Sequence, residues 1–533
     1  MPNVKFNHQL SLPLILLVAT LLRLWGLANK PLWVDEIYTA FYSHGKPLSE
    51  IPTGILLSVD QYWALLNDPD TPWRAAQAVT IYSNHPPLFF MAMNGWLQVL
   101  GTSVGTLRLF AVVWGVAAVA GMYTLGRCLG GPWVGKLAAV LMAVSPYGIY
   151  LSQEARHYSL AVAIAVFALA NWISLLQGER SAGRWLSWIG LNALGIYVHY
   201  FYGFSLIAQW LVTVGRLLWR DYRRPQLLPW LLAMAGTLLL YLPWLSTALT
   251  HFYREGGTNW LSQSTPIWQT VLLPWLQSLV AGVFMVILFP VEQVPLWVTI
   301  VSAMIMLVVF GMLLRQFLQG WAAEPQLDLW APIVSYGLLV FGVMIAITYG
   351  LGKDLTLAPR YFFMLYPAAT AILALALAHR RPWVVGVAIA AGLVSQFLIS
   401  YDIALLKPYL PGQVGRRLGK EPTIVLVAPQ QESYQARALS YVLAIPPTAG
   451  AKVAFTNPAS PGSWQPSLAN DDAIPAKDFT LWLVEPRRPA TFPSTVIFPN
   501  QTCTPVGDRI KTEGTGQQKY HCRLATLSNS VRN

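Results

Sequence analysis

Charged residues are scarce in this sequence. Asp, Glu, Lys and Arg make up 11% of its 533 residues, against about 25% in an average soluble chain. Hydrophobic residues make up 55%, and the mean hydropathy is +0.47. This composition excludes a water-soluble globular protein and indicates an integral membrane protein. Lys and Arg outnumber Asp and Glu by 35 to 23, but most lie in short connections between apolar runs. There they orient membrane helices, so no nucleic-acid partner is predicted.

Cysteine is scarce as well. Three cysteines are too few for a fold built on disulfides or for a zinc cluster. Cys503 and Cys522 both lie in a C-terminal stretch that the topology below places in an oxidising compartment. We therefore predict a disulfide between them, which closes a loop of about 20 residues and contributes roughly 3 kcal/mol. Cys128, at the cytoplasmic end of an apolar run, is expected to be free.

The hydrophobic residues are grouped into about eleven runs that can cross a bilayer as helices. The first run lacks an Ala-x-Ala type cleavage site, so it is interpreted as a retained span rather than a signal peptide. Basic residues fall in every second connection, which predicts a cytoplasmic N-terminus and an extracytoplasmic C-terminus in the plasma (inner) membrane. The predicted spans are 10–28, 108–127, 134–151, 158–177, 185–201, 203–219, 227–247, 296–314, 329–350, 361–379 and 382–400.

Two long connections on the extracytoplasmic side contain further apolar segments. The first connection, 29–107, includes a predicted helix at 83–101, with Asn84 as its cap and prolines in its first turn. The second, 248–295, includes the apolar stretch 266–290. A span at either place would reverse the charge bias of other connections. We therefore expect the helix at 83–101 to lie along the membrane surface, and the stretch 266–290 to be re-entrant or to lie on the membrane.

The composition changes after Tyr401 to Pro, Thr, Gln and charged residues. The stretches TIVLVAP (423–429) and FTLWLVEP are typical of buried strands, and QQESYQARALSYVL has the apolar spacing of a helix. We predict two domains: a transmembrane domain at 1–400 and a small extracytoplasmic α/β domain at 401–533.

Two adjacent carboxylates, Asp35 and Glu36, follow the first span in KPLWVDEIYT. Asp35 fits two roles. It can be the N-cap of a short helix that ends near Gly45, with Glu36 favourable in the first turn. It can also be a general base or metal ligand at the lipid–water boundary, where desolvation and neighbouring charge tune its pKa. The spacing does not separate these roles.

Three arginines, Arg108, Arg156 and Arg360, lie at extracytoplasmic ends of predicted spans, against the positive-inside bias. Each alone is typical of an interfacial side chain that extends to water. Together they indicate a site for an anion from the membrane, and a planar guanidinium suits phosphate. Carboxylates and an arginine-bound phosphate at one membrane face describe glycosyl transfer from a lipid phosphate. The carboxylate accepts the acceptor's proton, and the arginines stabilise the departing phosphate.

The sequence also resembles a known family. The segments that carry the resemblance are LWVDE, NHPPLFFMAMNGWLQVLG, TLRLFAVVWGVAAVAGMYTLGRCLG, SPYGIYLSQEARHYSL, YLPWL and APRYFFMLYPA. In their order and spacing they resemble GT-C glycosyltransferases, especially protein O-mannosyltransferases and the bacterial aminoarabinose transferases of lipid A (glycosyltransferase family 39). The resemblance covers about residues 8–400. It implies a GT-C fold, a polyprenyl-phosphate sugar donor, an inverting reaction and an extracytoplasmic active site. It further implies that Asp35 is the catalytic base, with Glu36 beside it, and that Arg108 contacts the lipid phosphate.

The resemblance implies roles for other residues less directly. His85 begins the His-Pro-Pro segment, where relatives have His or Lys near the donor, so a phosphate or sugar contact is implied; the alternative is an interfacial histidine at a helix start. Glu154 lies where some members have acidic residues, but Gln-Glu-Ala-Arg replaces paired Asp. Glu154 is a candidate substrate contact, and the need for a divalent cation stays open. Tyr158 and Tyr361, which lie near or beside the predicted arginines, are further candidate substrate contacts.

Two more extracytoplasmic stretches have open interpretations. HFYREGGTNW (251–260), with its paired glycines, is predicted to be a mobile loop that closes over substrates. Arg254 in this loop either reaches the phosphate or is an ordinary solvated residue. His199 and Tyr200, at the end of the fifth predicted span, are interpreted as part of an aromatic belt.

Two other classes of protein fit a chain of many spans. A transporter or flippase would show internal repeats and charged or broken helices near the bilayer midplane. A receptor or scaffold would leave the three arginines without a reason. The glycosyltransferase interpretation is therefore preferred, with membrane lipids around it and a protein, lipid or glycan as the acceptor.

Overall fold

A computed structural model provides the structure of the chain. It describes residues 11–219, 227–254, 261–262, 266–323, 327–378, 380–405, 409–428, 432–456, 468, 474–486, 492–512 and 514–524. The chain divides into two compact units. We call Met1–Leu27, Val79–Met93 and Gly105–Leu405 the membrane unit, and Ala28–Ala78, Asn94–Val104 and Leu406–Asn533 the sheet unit.

The helices carry most of the described chain. In chain order they are α1 Leu12–Leu24, α2 Val34–Ser43, α3 Val59–Ala64, α4 Pro72–Tyr82, α5 Leu88–Leu100, α6 Val104–Val144, α7 Pro146–Ser152, α8 Tyr158–Leu176, α9 Ala182–Val198, α10 Tyr202–Trp219, α11 Leu227–Tyr253, α12 Ile267–Phe284, α13 Leu296–Ala323, α14 Leu327–Gly350, α15 Tyr366–Leu377, α16 Pro382–Ser400, α17 Pro411–Leu418 and α18 Glu432–Val442.

Six of these helices are long and apolar enough to cross a membrane within the described residues: α6, α8, α11, α13, α14 and α16. The predicted class, a polytopic helical membrane protein, is confirmed. The number of about eleven spans and the orientation of the termini stay predictions.

Helix α6 reverses direction at Gly130 and Gly131. Gly131 has φ 82°, and Pro132 follows it. A Cβ on Gly126 would lie 2.9 Å from the Cα of Gly135, whereas nine residues of straight helix would separate these positions by about 13 Å. The two arms of α6 therefore lie side by side, in agreement with separate spans at 108–127 and 134–151.

Helix ends predicted to be cytoplasmic meet one another. The Gln177 side-chain amide donates to the Cys128 carbonyl at 2.9 Å, and the Trp133 indole donates to the Ala378 carbonyl at 2.9 Å. Cys128 is a free thiol. These contacts agree with the predicted alternation of the spans.

Arg23 connects α1 to the break between α6 and α7. Pro146 has no N–H to bond the Met142 carbonyl, so the end of α6 needs other donors. Arg23, which is 1% exposed, donates to the carbonyls of Met142 and Ala143 at 3.2 and 3.0 Å and to the Ser152 hydroxyl at 3.2 Å. This buried charge therefore has a structural explanation.

Replacing Arg23 by Met should destabilise the membrane unit. The change leaves two buried carbonyls without their donors, and we expect a loss of about 2–3 kcal/mol. The thermal unfolding of purified protein in detergent measures it. Arg127→Met is the matched control, because Arg127 is exposed; equal melting temperatures for the two variants would contradict the assigned role.

Helices α5 and α12 lie in the two apolar segments of the long extracytoplasmic connections, 83–101 and 266–290. Helix α5 begins at Leu88, so Pro86 and Pro87 precede it and the predicted start at Asn84 is too early. Helix α12 packs beside α14, with the Tyr349 hydroxyl donating to the Val271 carbonyl at 2.7 Å. The placement of 266–290 as a re-entrant or membrane-lying segment stays a prediction.

The sheet unit is built on a mixed sheet of eight described strands. They are β1 Leu57–Ser58, β2 Thr423–Val427, β3 Lys452–Phe455, β4 Phe479–Glu485, β5 Val496–Phe498, β6 Gln501–Pro505, β7 Ile510–Thr512 and β8 Thr515–Leu524. Their order in the sheet is β1-β3-β2-β4-β8-β6-β5, with β7 beside β8. Strand β2 runs parallel to β3 and β4, and the remaining pairs are antiparallel.

The C-terminal α/β domain was predicted from local patterns. Strands β2 and β4 and helix α18 agree with the predicted elements. Residue 429, the predicted end of the first strand, and residues 430–431, where the helix was predicted to begin, lie outside the described residues. Cys503 on β6 lies opposite Cys522 on β8, with 3.9 Å between their Cα atoms, and the two form the predicted disulfide.

The division into units differs from the predicted boundary at 400. Segments of the first connection belong to the sheet unit. Strand β1, from that connection, pairs with β3, and the Tyr62 hydroxyl donates to the Val453 carbonyl at 3.2 Å. The sheet is thus completed by residues far away in sequence.

Candidate active site

The carboxylate pair lies in the first turn of α2, in the sheet unit. Trp33 is the N-cap residue, so the interpretation of Asp35 as the cap is wrong. The Glu36 carboxylate instead accepts the Trp33 backbone N–H at 3.3 Å, and Glu36 is fully buried. Asp35 is half-buried. The structure therefore gives Glu36 the role of holding the helix start.

Five basic side chains come together in the membrane unit, and we call them the histidine–arginine cluster: His85, Arg156, His157, His199 and Arg360. They come from four different places. His85 precedes α5, Arg156 and His157 precede α8, His199 ends α9, and Arg360 lies in the 3-10 turn Pro359–Met364. All four places are helix ends predicted to be extracytoplasmic.

His157 is at the centre of this cluster. Its ring centroid is 4.4 Å from that of His199 and 5.0 Å from that of His85. The Nη2 atom of Arg156 is 3.4 Å from Nε2 of His85. Arg360 is close enough to act electrostatically on His157. The cluster is therefore a concentration of basic groups that suits an anion.

His157 has properties of a ligand contact. It is fully buried, and neither ring nitrogen has a hydrogen-bond partner within the part of the chain that the structure describes. Burial, together with the positive potential of His199, Arg156, His85 and Arg360, holds the pKa of His157 well below 6.5. At pH 7 its ring is neutral and offers one donor and one acceptor. An unsatisfied buried polar group costs about 1–3 kcal/mol, a cost that a bound ligand would remove.

Aromatic rings flank the two arginines. The Arg156 guanidinium carbon is 5.9 Å from the Tyr158 ring centroid, and that of Arg360 is 5.4 Å from the Tyr361 ring centroid. Both distances allow cation–π attraction. The two tyrosines predicted as substrate contacts thus lie beside the cluster.

Arg108 and Glu154 are two further predicted site residues, and each makes a hydrogen bond within the membrane unit. Arg108, in the first turn of α6, is buried and donates through Nη1 to the Leu27 carbonyl at 2.8 Å. Glu154 is also buried, and its backbone carbonyl accepts the Arg156 N–H at 2.7 Å. Their predicted roles at the donor stay predictions.

Sequence reasoning missed two members of the cluster. His199, interpreted as part of an aromatic belt, is buried between His157 and Phe363, whose ring centroid is 4.8 Å away. His157 was not singled out at all. Its position directly after Arg156, at the end of a predicted span, is the one local signal that it carries.

Arg254 holds the segment that leads to His85. Its guanidinium donates to the carbonyls of Thr80, Ile81 and Ser83 at 3.0, 3.1 and 2.9 Å. The Ser83 hydroxyl lies 2.8 Å from Nδ1 of His85. A cation at the C-terminal end of α4 is also favourable for the helix dipole. Arg254 therefore does not have the contacts expected of a solvated loop residue. Residues 255–260, which include the paired glycines, lie outside the described part of the chain.

Replacing Arg254 by Ala should indirectly weaken binding of the polyprenyl-phosphate donor that the sequence predicts. The three carbonyls lose their common donor, and the His85 segment loses its position, so we expect the KM for the donor to rise by roughly 10-fold. Steady-state kinetics with wild type and variant measure it. Arg315→Ala, which removes an exposed arginine of α13, is the control, and an unchanged KM in Arg254→Ala would refute the role.

A metal site is not assigned. Among the described residues, no group of three or more His, Cys, Asp or Glu side chains is placed to hold a metal ion. The three histidines of the cluster are surrounded by arginines, which favours an anion.

The two units define a class of protein: a polytopic membrane protein with a cluster of basic side chains at its helix ends and an α/β sheet domain. Comparison with solved structures identifies the fold. ArnT from Cupriavidus metallidurans bound to undecaprenyl phosphate matches with a TM-score of 0.50 and 10% identity, over 95% of this chain and 97% of that one. The fold is that of the GT-C glycosyltransferases, as predicted.

The family comparison agrees with this fold. Residues 84–246 match the family "Dolichyl-phosphate-mannose-protein mannosyltransferase", so the predicted resemblance to GT-C glycosyltransferases is confirmed. The oligosaccharyltransferase AglB from Archaeoglobus fulgidus, in complex with an inhibitory peptide and a dolichol-phosphate, matches with a TM-score of 0.45 and 14% identity over 82% of this chain and 64% of that one. A comparison with curated proteins finds no match.

Proposed function

We propose that the protein is an inverting glycosyltransferase that moves a sugar from a polyprenyl-phosphate donor to an acceptor on the extracytoplasmic face. The observation that carries the proposal is the histidine–arginine cluster. In it a buried, neutral His157, whose ring nitrogens have no hydrogen-bond partner among the described residues, is surrounded by basic groups. Such a cluster suits a phosphate, which brings both negative charge and hydrogen-bond acceptors. The bound undecaprenyl phosphate of Cupriavidus ArnT, a protein of the same fold, supports a lipid phosphate in particular.

The roles follow from the chemistry of the transfer. The acceptor hydroxyl oxygen attacks the anomeric carbon and forms the new C–O bond, while the bond from that carbon to the phosphate oxygen breaks. Asp35, assigned from its sequence position and the resemblance, takes the hydroxyl proton. The electron pair leaves with the phosphate, which Arg156 and Arg360 stabilise and to which His157 donates its N–H. A single displacement inverts the anomeric configuration.

Further contacts belong to the same proposal. Arg108 and His85 contact the donor phosphate, and Tyr158 and Tyr361 line the sugar. Arg254 acts through the His85 segment. A transporter is the alternative function, but the basic cluster lies at helix ends, and the buried Arg23 is explained by carbonyls that need donors.

An apolar cavity in the membrane unit suits the isoprenoid chain of such a donor. It has a volume of about 280 Å³. The hydroxyls of Ser145 and Thr370 in its wall donate to the backbone carbonyls of Met285 and Tyr366, so the wall is chemically apolar. Leu365, at one side, directly follows the 3-10 turn that carries Arg360. The remaining wall residues are Leu141, Val144, Gly282, Met285, Val286, Phe310, Leu313, Leu314, Phe317, Ala369, Ile372, Leu373 and Ala388.

Filling this cavity should discriminate donors by chain length. Ala369→Phe is expected to raise the KM for a long-chain polyprenyl-phosphate sugar several-fold, since each displaced methylene is worth about 0.8 kcal/mol, and to leave a short-chain analogue unaffected. Val308→Phe, on an exposed part of α13, is the control. Equal effects on both chain lengths would contradict a chain site.

The proposed function is tested with the purified full-length protein in detergent or nanodiscs. Polyprenyl phosphates that carry radiolabelled sugars are supplied with membrane extracts as acceptors. Transfer is measured as label in a new glycosidic product with release of polyprenyl phosphate. Labelled donor that crosses a proteoliposome membrane unchanged, with no new glycosidic bond, would overturn the transferase proposal in favour of the transporter.

A further inference from the structure

One tyrosine of the C-terminal part of the sheet unit, Tyr409, contacts the start of α2. The Tyr409 hydroxyl accepts the backbone N–H of Val34 at 2.5 Å, and Val34 is the first residue of α2, directly before Asp35. The Tyr409 side chain is 3% exposed. Burial raises the pKa of Tyr409, and the negative charge of Asp35 adds to the effect. The hydroxyl is therefore neutral and close to Asp35.

The ring of Tyr409 is held by two side chains of α18. The Arg437 guanidinium carbon lies 4.5 Å from its ring centroid, and the Tyr441 ring centroid is 5.8 Å away. Arg437 also donates through Nε to the Tyr441 hydroxyl at 2.9 Å. Cation–π attraction and a charge-assisted hydrogen bond thus restrict all three side chains.

These two side chains in turn contact Gly514 and Thr515, before and at the start of β8. The Tyr441 hydroxyl is hydrogen-bonded to the Thr515 hydroxyl. Gly514 has φ +69°, and a Cβ at this position would lie 2.1 Å from Nη2 of Arg437. Glycine is therefore needed both for the backbone conformation and for the close approach of the guanidinium. A continuous series of contacts therefore connects Gly514 and Thr515 to Val34, the residue before Asp35.

We propose that Tyr409 is a positioning residue for the catalytic carboxylate, and that Gly514 and Thr515 hold it in place through Arg437 and Tyr441. This gives the C-terminal domain a function in the reaction: it fixes the first turn of α2, from which the Asp35 side chain projects. The inference rests on the proposed function, because it takes Asp35 as the base.

Tyr409→Phe tests the inference, since it removes only the hydroxyl that accepts the Val34 N–H. We expect kcat for transfer to fall by about 10-fold, because small displacements of a reacting group are costly, while the KM for the donor is unchanged. Tyr520→Phe is the matched control. Tyr520 donates its hydroxyl to the Pro493 carbonyl at 2.6 Å in the same domain, so this variant also loses one hydroxyl bond, away from Asp35, and should keep its kcat.

Two further variants complete the design. Arg437→Gln keeps the Tyr409 hydroxyl but removes the group that holds its ring, and should lower kcat in the same direction. Asp35→Asn distinguishes a failure of the positioning role of Tyr409 from a failure of the assignment of Asp35 as the base. If Asp35→Asn is inactive while Tyr409→Phe and Tyr520→Phe have the same kcat, the positioning role is overturned and the proposed function stands. If Asp35→Asn retains full activity, the base assignment fails and the inference fails with it.

Discussion

Replacement of Asp35 by Asn is expected to lower kcat for sugar transfer by about 10²- to 10⁴-fold, the usual contribution of a general base. Asn has the same shape but cannot take the proton of the attacking hydroxyl. Because Asp35 acts on the acceptor, the affinity for polyprenyl phosphate should not change. Transfer of radiolabelled sugar gives the rate, and titration with polyprenyl phosphate gives the affinity.

Two matched variants make this result interpretable. Asp60→Asn changes an exposed carboxylate in the first turn of α3 and should leave kcat unchanged. Glu36→Gln keeps an oxygen that can accept the Trp33 N–H, so it should retain the helix start and most of the activity. Full activity in Asp35→Asn, or an equal loss in Asp60→Asn, would refute the assignment of Asp35 as the base.

The separate roles of Asp35 and Glu36 could not be read from the sequence. Either acid can cap a helix, and the choice depends on where α2 begins. The structure begins it at Val34, which places the Glu36 carboxylate within reach of the cap residue's N–H. A shift of one residue in the helix start would have changed the roles.

The fold was predictable where its cause is local. Apolar runs identify membrane helices, and alternating or continuous apolar patterns identify β2, β4 and α18. The sequence did not indicate which segments belong to the sheet unit. Strand β1 has only two residues, so its pairing with β3 leaves no periodic pattern in the sequence. The predicted division at 400 therefore assigns segments of the first connection to the transmembrane domain, whereas these segments belong to the sheet unit.

The candidate site was predictable to a similar extent. Arg156 and Arg360 were found because arginines at extracytoplasmic helix ends are unusual, and this signal depends on composition and topology alone. His157 and His199 were missed because a buried histidine is recognised only by its neighbours. Those neighbours come from helix ends that are distant in the sequence, and no residue pattern in a single chain records that proximity.

Replacement of Arg156 by Ala is expected to weaken donor binding by roughly 10- to 100-fold, since charge-assisted hydrogen bonds contribute about 1.5–3 kcal/mol each. Arg156 is 5% exposed, so water and salt screen its charge less than that of a surface arginine. Lys at this position keeps the charge but lacks the planar fork, and Arg156→Lys should lie between wild type and Ala. Titration of the purified protein with polyprenyl phosphate measures all three affinities.

The matched control is Arg184→Ala. Arg184 pairs with Glu179 at 3.0 Å, with 34% of its side chain exposed, and it lies in a connection predicted to be cytoplasmic. Its removal lowers the positive charge of the protein by the same amount as Arg156→Ala, so a general electrostatic effect would weaken binding in both variants. A specific phosphate site weakens it only in Arg156→Ala. Equal affinities for the two variants would therefore contradict the placement of the donor phosphate in the histidine–arginine cluster, whatever the outcome for Asp35.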